Sequence, residues 1–314
     1  MTEETLPLTI QTVFRTHPAL LDWIGAVISV ERLGGLTNEN QLLRTLNGNF
    51  VLRIPGAGTE SYINRSWEKH AVLITAQLGV NAPVLFFDAQ SGIQLSRFLE
   101  RAVTMSALGF RDLGAVRRAA KSLRRVHEST TPFLNRFEVF AMIDNYMSLL
   151  EAKETVLPHG FHALLKQAAS VRIALNHHPV PAVPCHCDPL AENFLDDGLQ
   201  SYVIDWEYSG NNDPMWDLGD LSVEADFSTV QDEELLAGYF SDNSCRPFDR
   251  GRMVLYKAMC DLLWTLWGLL QHAHNNPAED FQAYAQKRFE RCQKLMNSPG
   301  FDKHLAAVMD GPCG

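Results

Sequence analysis

The sequence of 314 residues lacks the segments that mark exported and membrane-spanning proteins. Its N-terminus, MTEETLPLTI, is acidic and has no basic segment followed by an apolar run, which a secretory signal requires. The longest strongly apolar stretch, residues 262–270, is far shorter than the roughly 20 residues that cross a bilayer. We therefore expect a cytoplasmic protein without a membrane span.

Positive charge is also scarce in this chain. It has 27 Lys and Arg against 37 Asp and Glu, which gives a formal net charge of −10. A nucleic-acid partner requires clustered Lys and Arg that neutralise phosphates, so we exclude nucleic acid as the main ligand. A cationic substrate is compatible with this balance, although net charge bears first on solubility.

Cysteines are few, and their spacing does not form a disulfide framework. The chain has 6 of them, and its 46% of hydrophobic residues can supply a core without covalent crosslinks. The run Cys185-His186-Cys187 leaves a metal site as one interpretation, but no further Cys/His pair lies at zinc-like spacing. We therefore favour free thiols in a reducing cytoplasm.

Short strands and one helix are predicted in the first third of the chain. A helical period of apolar residues covers 62–78 and ends at Gly79, and Asn47-Gly48 is typical of a hairpin turn. We predict an N-terminal lobe, residues 1–99, with a five-stranded antiparallel sheet and one helix. Its strands are expected at residues 26–32, 41–46, 50–54, 83–87 and 93–99.

Longer helical periods follow from residue 100 onward. They are interrupted by a loop-rich stretch, residues 180–217, with β-like segments at 193–195 and 202–204. We predict a larger, mostly helical C-terminal lobe, residues 100–314, and therefore a bilobal α+β fold. Its helices are expected at residues 113–127, 137–152, 161–175, 233–240 and 252–272.

Two carboxylates and an amide stand on neighbouring turns of the loop-rich stretch. Phosphoryl transfer needs one carboxylate to accept or orient the proton of the attacking hydroxyl. It also needs a second carboxylate and an amide oxygen that hold Mg²⁺ on the phosphates. Asp188 suits the first task, and Asn193 and Asp205 suit the second. A single Asp or Asn in a loop is usually a solvated turn residue, so the order and spacing carry this prediction.

The pattern His186-x-Asp188-x₄-Asn193, followed by an apolar-Ile-Asp205 segment, resembles the catalytic and metal loops of the protein-kinase-like fold. The specific resemblance is to the aminoglycoside phosphotransferase and choline/ethanolamine kinase group, and it covers most of the chain. It implies a kinase-like fold that uses ATP and Mg²⁺. It also implies that His186 and Asp188 belong to the catalytic loop.

The resemblance places a phosphate-covering loop in Leu33-Gly-Gly-Leu-Thr-Asn38, between the first two strands. Gly34 and Gly35 would let the backbone approach the phosphates, and Thr37 or Asn38 could donate hydrogen bonds. Taken alone, such a sequence is usually only a turn.

Arg53 occupies the position at which other kinases have a lysine that steadies the nucleotide phosphates. The resemblance implies that it pairs with a carboxylate on the neighbouring helix, for which Glu68 is the natural partner. The alternative is an exposed arginine on a strand.

Trp264 and Trp267 lie three residues apart, which places them on one face of a helix. An apolar helix with tryptophans is usually part of a core. The resemblance nevertheless implies that these two rings contact a trimethylammonium group, which is held by π-faces and a carboxylate. The other residues grouped with this substrate pocket are Tyr284, the carboxylate Glu224, Tyr208 as a further ring, and Glu207 without a firm role.

The leading hypothesis is an ATP-dependent kinase that phosphorylates choline. The alternative is a kinase of the same fold that acts on ethanolamine, thiamine, an amino sugar or an aminoglycoside, whose ammonium N–H donors would favour carboxylates over rings. A catalytically silent scaffold is disfavoured because Asp188 and Asp205 are both present. A homodimer is left open.

Overall fold

An antiparallel sheet of five strands forms the N-terminal part of the computed structural model, which describes residues 6–24, 26–35, 38–56, 58–59, 63–241 and 245–312. The strand order is β1-β2-β3-β5-β4. Each strand lies within three residues of its predicted bounds. The strands are Val27–Arg32 (β1), Glu39–Thr45 (β2), Gly48–Ile54 (β3), Val84–Phe87 (β4) and Gln94–Arg97 (β5).

The β2–β3 hairpin turns at Leu46-Asn47, one residue before the predicted Asn47-Gly48. Thr45 pairs with Gly48, and the Thr45 hydroxyl donates to the Gly48 carbonyl over 2.9 Å. Gly48 has a φ of +118°, a conformation that residues with a Cβ rarely adopt.

Two helices that the sequence did not predict precede the sheet. They are Leu8–Thr16 (α1) and Ala19–Ile24 (α2). Ile10 and Phe14 of α1 are buried in one apolar cluster with Leu43 and Leu95 of the sheet. The N-terminal segment therefore covers a sheet face, which an antiparallel sheet needs to bury.

The predicted helix of the N-terminal lobe is confirmed as Arg65–Gln77 (α3). It begins at Arg65 because the Asn64 side chain accepts hydrogen bonds from the backbone N–H groups of Ser66 and Trp67. It ends before Gly79, whose φ is +68°. The N-cap thus fixes the first turn, which carries Arg65 and Glu68.

Helices dominate the rest of the chain. The long helix α9 packs against α5, α7, α10 and α11. The five predicted helical periods correspond to α4, α5, α6, α8 and α9, whereas α7, α10 and α11 were not predicted. The helices are Leu113–His127 (α4), Val139–Ala152 (α5), Phe161–His177 (α6), Pro214–Glu224 (α7), Thr229–Phe240 (α8), Pro247–Ala273 (α9), Phe281–Met296 (α10) and Phe301–Asp310 (α11).

By length and composition alone, the 27-residue α9 could cross a membrane. However, 83% of its apolar window is buried inside the protein. Such burial is typical of a core helix, so the helix is weak support for a membrane span.

Short strands shape the loop-rich stretch. They are Val103–Thr104 (β6), Val183–Cys185 (β7), Phe194–Asp196 (β8), Ser201–Val203 (β9) and Gly210–Asn212 (β10). In the β8–β9 hairpin, Phe194 pairs with Val203. Asn193 directly precedes this hairpin and Asp205 closely follows it, and the Ile204 N–H donates to the Asn193 carbonyl over 2.9 Å. The hairpin therefore brings the two predicted metal ligands together.

Candidate functional site

Asp217 of α7 holds the backbone of the loop that carries Asp188. Its Oδ2 accepts a hydrogen bond from the His186 N–H over 2.7 Å, and its Oδ1 accepts one from the Cys187 N–H over 2.8 Å. Cys187 has a φ of +69°, a left-handed conformation that costs about 1–3 kcal/mol in a residue with a side chain. The buried carboxylate offsets that cost and fixes the direction of the next residue, Asp188.

His127 of α4 supports Asp217 from the other side. Its Nε2 lies 2.9 Å from Asp217 Oδ2, and its Nδ1 lies 2.9 Å from the Tyr239 hydroxyl. Sequence reasoning missed His127, because no local pattern connects α4 to the loop.

The His186 ring is completely buried and connects two loops. Its Nδ1 accepts a hydrogen bond from the Asp188 N–H over 3.3 Å, and its Nε2 lies 2.9 Å from the Ile204 carbonyl. Burial lowers the pKa of His186, so the ring is neutral and Nε2 donates to that carbonyl. On this geometry His186 positions Asp188, and its predicted place among the catalytic groups is corrected to a positioning role.

The Asp188 carboxyl lies within electrostatic reach of several elements. Burial is the main cause that raises its pKa to about 8, and the nearby carboxylates of Glu224 and Asp205 add to the rise. Arg288 of α10 acts in the opposite direction. Because electrostatic coupling requires proximity, residues of α7, α10 and the loop after β9 lie near Asp188.

Asn193 and Asp205 present oxygen atoms suited to a cation. The Asn193 Nδ2 donates to the Asp188 carbonyl over 3.0 Å, which leaves its amide oxygen for a ligand. Asp205 has a φ of +66°, and its Oδ1 is buried without a hydrogen-bond partner, 3.6 Å from Arg53 Nη1. Burial is the main cause that raises the pKa of Asp205 to about 7, followed by Glu207. A buried carboxylate oxygen without a hydrogen-bond donor and an amide oxygen on the adjoining loop are ligands that Mg²⁺ prefers.

Arg53 and Glu68 form the predicted ion pair. The Arg53 Nη2 donates to Glu68 Oε1, and both side chains are buried. The alternative of an exposed arginine is therefore wrong. Because Arg53 Nη1 also lies 3.6 Å from Asp205, the strand β3 brings a positive charge to the loop that carries Asp205.

Arg65 joins α3 to the loop after β9. Its Nη1 donates to Glu68 Oε2 and to Glu207 Oε1, in both cases over 2.7 Å. Sequence reasoning missed Arg65, although its spacing from Glu68 is that of an i,i+3 pair. Glu207 Oε1 thus bridges the loop after β9 to α3, and a role of Glu207 in substrate binding stays a prediction.

The glycine-rich turn is only partly described, since Thr37 lies outside the described residues. Gly35 has a φ of +152°, and a Cβ there would lie 2.6 Å from the Asn38 carbonyl oxygen. Only glycine fits at that position. The Asn38 Nδ2 donates to Glu207 Oε1 over 3.1 Å, and the Gly34 carbonyl accepts from the Asn40 side chain. Asn38 thus connects this turn to the Glu207 bridge.

Four aromatic rings form a continuous series that starts at Tyr208, three residues after Asp205. The Tyr208 and Trp264 centroids lie 6.0 Å apart, Trp264 and Trp267 are 6.0 Å apart, and Trp267 and Tyr284 are 5.8 Å apart. Trp264 is only 6% exposed, as expected of a residue in the core, whereas the other three rings are half-buried. The contact with Tyr208 connects the tryptophan helix to the aspartate loop.

Two carboxylates lie behind these rings. Glu224 is paired with Arg288, and Asp220 accepts a hydrogen bond from the Cys260 thiol over 2.8 Å. The Asp220 Oδ2 has no hydrogen-bond partner, and burial holds the pKa of Asp220 well above its usual range. Sequence reasoning missed Asp220 and Arg288, although each lies four residues from a predicted pocket residue on its helix.

The three side chains of the Cys185-His186-Cys187 run do not come together as one ligating group among the described residues, although Cys185 lies with His127 and Asp217 in a buried group whose ligand atoms are within 4.8 Å of one another. The Cys185 thiol lies 3.6 Å from the Asn212 carbonyl, and the Cys187 thiol lies 3.7 Å from the Gly210 carbonyl. Burial raises the pKa of both thiols well above the usual range, which keeps them protonated. The described cysteines are all free, as expected.

Comparison with known proteins identifies relatives along most of the chain. A model of the phosphotransferase enzyme family matches residues 29–256. The protein LicA of Haemophilus influenzae is 33% identical over 276 residues, which are 86% of this chain and 80% of that protein.

Solved structures of similar proteins belong to the same group of kinases. A choline/ethanolamine kinase family protein of Mesorhizobium loti is 48% identical with a TM-score of 0.88, and the match covers 96% of this chain and 99% of that one. The choline kinase LicA of Streptococcus pneumoniae is 31% identical with a TM-score of 0.76, over 92% and 99% of the two chains. The predicted bilobal α+β fold is thereby confirmed.

Proposed function

This chain belongs to the phosphotransferase enzyme family and is a small-molecule kinase of the choline/ethanolamine type, and we propose that it transfers the γ-phosphate of ATP to the hydroxyl of choline. The observation that carries the proposal is the contact between Tyr208 and Trp264. It connects the loop of Asp205 to the aromatic series, so a cation against the rings lies within reach of the catalytic loop.

We assign Asp188 to the substrate hydroxyl. A carboxylate that accepts or orients this proton strengthens the oxygen as a nucleophile, which contributes about 10²–10⁴-fold in typical enzymes. The backbone bonds from Asp217 and the His186 ring fix where Asp188 points. Its half-buried position favours an orienting role over exchange with bulk water.

We assign Asn193 and Asp205 to Mg²⁺. When bound, Mg²⁺ neutralises charge on the β- and γ-phosphates of ATP. The hairpin keeps the backbones of the two residues close together, and each residue offers a side-chain oxygen as a ligand. The buried, unpartnered Oδ1 of Asp205 supports this assignment.

We assign Arg53 to the nucleotide phosphates. Its guanidinium is held by Glu68, whose second oxygen is held by Arg65, so that the side chain is ordered before a nucleotide binds. The Arg53 Nε has no hydrogen-bond partner. A donor of this kind suits phosphate oxygens.

Trp267, Tyr284 and Tyr208 supply half-buried ring faces for the trimethylammonium group. Trp264 supports them from within, since its ring contacts both Tyr208 and Trp267. A quaternary ammonium has no hydrogen to donate, and each desolvated ring contact contributes about 1–2 kcal/mol. The choline kinase LicA of Streptococcus pneumoniae, to which the chain is similar, supports the same substrate.

Ethanolamine is the second candidate. Two acids, Asp220 and Glu224, lie behind the rings, and the relative from Mesorhizobium loti is described as a choline/ethanolamine kinase family protein. The two substrates differ in N–H donors, which need acceptors when they are buried.

A substrate screen tests the proposal. The enzyme with MgATP is assayed for ADP release against choline, ethanolamine, thiamine, homoserine and kanamycin, and the product is identified by ³¹P NMR. We expect the highest kcat/KM for choline, with phosphocholine as the product. A higher value for any other alcohol, or ADP release without phosphocholine, overturns the assignment.

A further inference from the structure

A buried arginine lies in the pocket that is proposed to receive the substrate cation. Arg288 of α10 is 6% exposed, and its guanidinium carbon lies 4.9 Å from the centroid of the Tyr284 ring. Its Nη2 lies 2.6 Å from Glu224 Oε1. An aromatic face and a carboxylate are the two contacts that hold an ammonium group. The Arg288 side chain therefore already makes both contacts, with the Tyr284 ring and with Glu224.

Arg288 occupies both oxygens of Glu224. Its Nη2 also lies 2.7 Å from Glu224 Oε2. Its Nη1 lies 3.4 Å from Asp261, which Arg291 holds with two hydrogen bonds of 2.8 and 2.6 Å. Arg288 thus contacts both oxygens of Glu224, whereas Arg291 is directed to Asp261.

Asp220, the second acid beside the rings, does not take over from Glu224 as an acceptor for the substrate ammonium. Asp220 is completely buried, and one of its oxygens accepts the Cys260 thiol. Burial, then the neighbouring Glu224, raises the pKa of Asp220 well above its usual range. A protonated carboxyl is a weaker acceptor for an ammonium than a carboxylate is.

We propose that Arg288 is a specificity-determining residue that makes the pocket select alcohols with a fully alkylated ammonium over those with a primary ammonium, because it occupies Glu224. A primary ammonium has three N–H donors, and burying them without acceptors is costly. A quaternary ammonium needs only ring faces. The inference rests on the proposed function, since it concerns the selectivity of the same pocket.

The test compares kcat/KM for choline and ethanolamine in the wild-type enzyme and in Arg288→Met, which removes the charge and keeps most of the aliphatic volume. We expect the choline-to-ethanolamine ratio to fall by about tenfold or more, since a hydrogen bond to a freed carboxylate contributes about 1.5–3 kcal/mol. The change should come from a lower KM for ethanolamine and not from kcat. Adding Glu224→Gln to Arg288→Met should abolish the gain.

Arg291→Met is the matched control. It removes the same charge from a position one turn further along α10, and the only acid with which Arg291 pairs among the described residues is Asp261. This variant should leave the ratio of the two substrates unchanged. Arg288→Lys, which keeps a cation for Glu224, should also retain preference for choline. A ratio in Arg288→Met equal to that of the wild type, or an equal change in Arg291→Met, overturns the inference.

Two further measurements separate the possible failures. If the wild-type enzyme phosphorylates neither choline nor ethanolamine, the proposed function fails and the ratio has no meaning. If Arg288→Met does not fold, Glu224→Gln decides: the unpaired Arg288 should then lower kcat/KM for both substrates by the same factor. A selective loss of ethanolamine turnover in that variant would mean that Glu224 binds the substrate directly, which contradicts the inference.

Discussion

Arg65 Nη1 lies 2.7 Å from Glu207 Oε1, which joins the first turn of α3 to the loop after β9. Both side chains are less than a tenth exposed. The same guanidinium contacts Glu68, the partner of Arg53. Arg53 and the loop after β9 are therefore linked through one side chain.

We expect Arg65→Met to destabilise the protein by about 3–5 kcal/mol, because breaking a buried pair leaves an uncompensated carboxylate. The variant should also raise the KM for ATP, since Arg53 loses its brace. Urea unfolding of Arg65→Met, Glu207→Gln and the double variant measures the coupling. The exposed pair of Arg44 and Glu31 provides the control, and Glu31→Gln should cost at most about 1 kcal/mol. Additive effects of the two buried substitutions would contradict the link.

Replacing Asp188 by Asn should reduce kcat by about 10²–10⁴-fold, because the amide cannot accept the hydroxyl proton. The affinity for ATP should change little. Steady-state kinetics gives kcat, and calorimetry with a non-hydrolysable ATP analogue gives the affinity. Glu192→Gln, an exposed carboxylate four residues further along the chain, is the control and should behave as the wild type. Undiminished turnover in Asp188→Asn would refute its assignment.

Asp217→Ala should lower both stability and kcat. Each of its hydrogen bonds to the backbone of the loop contributes about 1.5–3 kcal/mol, as bonds to charged groups do. Without them, the left-handed conformation of Cys187 loses its support, so that Asp188 is no longer fixed. Urea unfolding and kcat are measured together. A variant that loses stability but keeps full kcat would show that Asp217 serves the fold alone.

The candidate residues of the catalytic loop could be predicted because they lie close together in the sequence. One stretch of the chain contains Asp188, Asn193 and Asp205, and their order and spacing form a recognisable pattern. Arg65 and Glu207 are 142 residues apart, and no spacing rule connects them. Their pairing exists only once α3 is docked.

The missed elements have a physical explanation as well. The residues of α7 from Met215 to Val223 are all buried, so the helix has no polar face and no amphipathic period. The helix α1 covers a sheet face that the strands alone do not reveal. The division at residue 99 remains a prediction.

Replacing Trp267 by Leu should raise the KM for choline by about 5- to 30-fold, which corresponds to the loss of one cation–π contact of about 1–2 kcal/mol. Trp264→Leu should act in the same direction through the support that its ring gives to Tyr208 and Trp267. The KM for ATP should be unchanged in both. Trp67→Leu, which alters an exposed ring on α3, is the control. An equal rise in both KM values would assign the tryptophans to packing.

Removing Mg²⁺ should abolish turnover, and Asp205→Asn should weaken the dependence on Mg²⁺ without unfolding the protein. The buried Oδ1 of Asp205 accepts no hydrogen bond, so the substitution removes only its ion-pair contact of 3.6 Å with Arg53, whereas a cation loses a charged ligand. Activity is titrated with Mg²⁺ after chelation, in the wild type, in Asp205→Asn and in Asp197→Asn, a half-buried aspartate just past β8 whose Oδ1 accepts backbone hydrogen bonds that an amide oxygen also accepts. We expect the half-saturating Mg²⁺ concentration to rise only in Asp205→Asn. If it rises in neither variant, the cation is held elsewhere, and the hairpin that joins Asn193 to Asp205 has a different purpose.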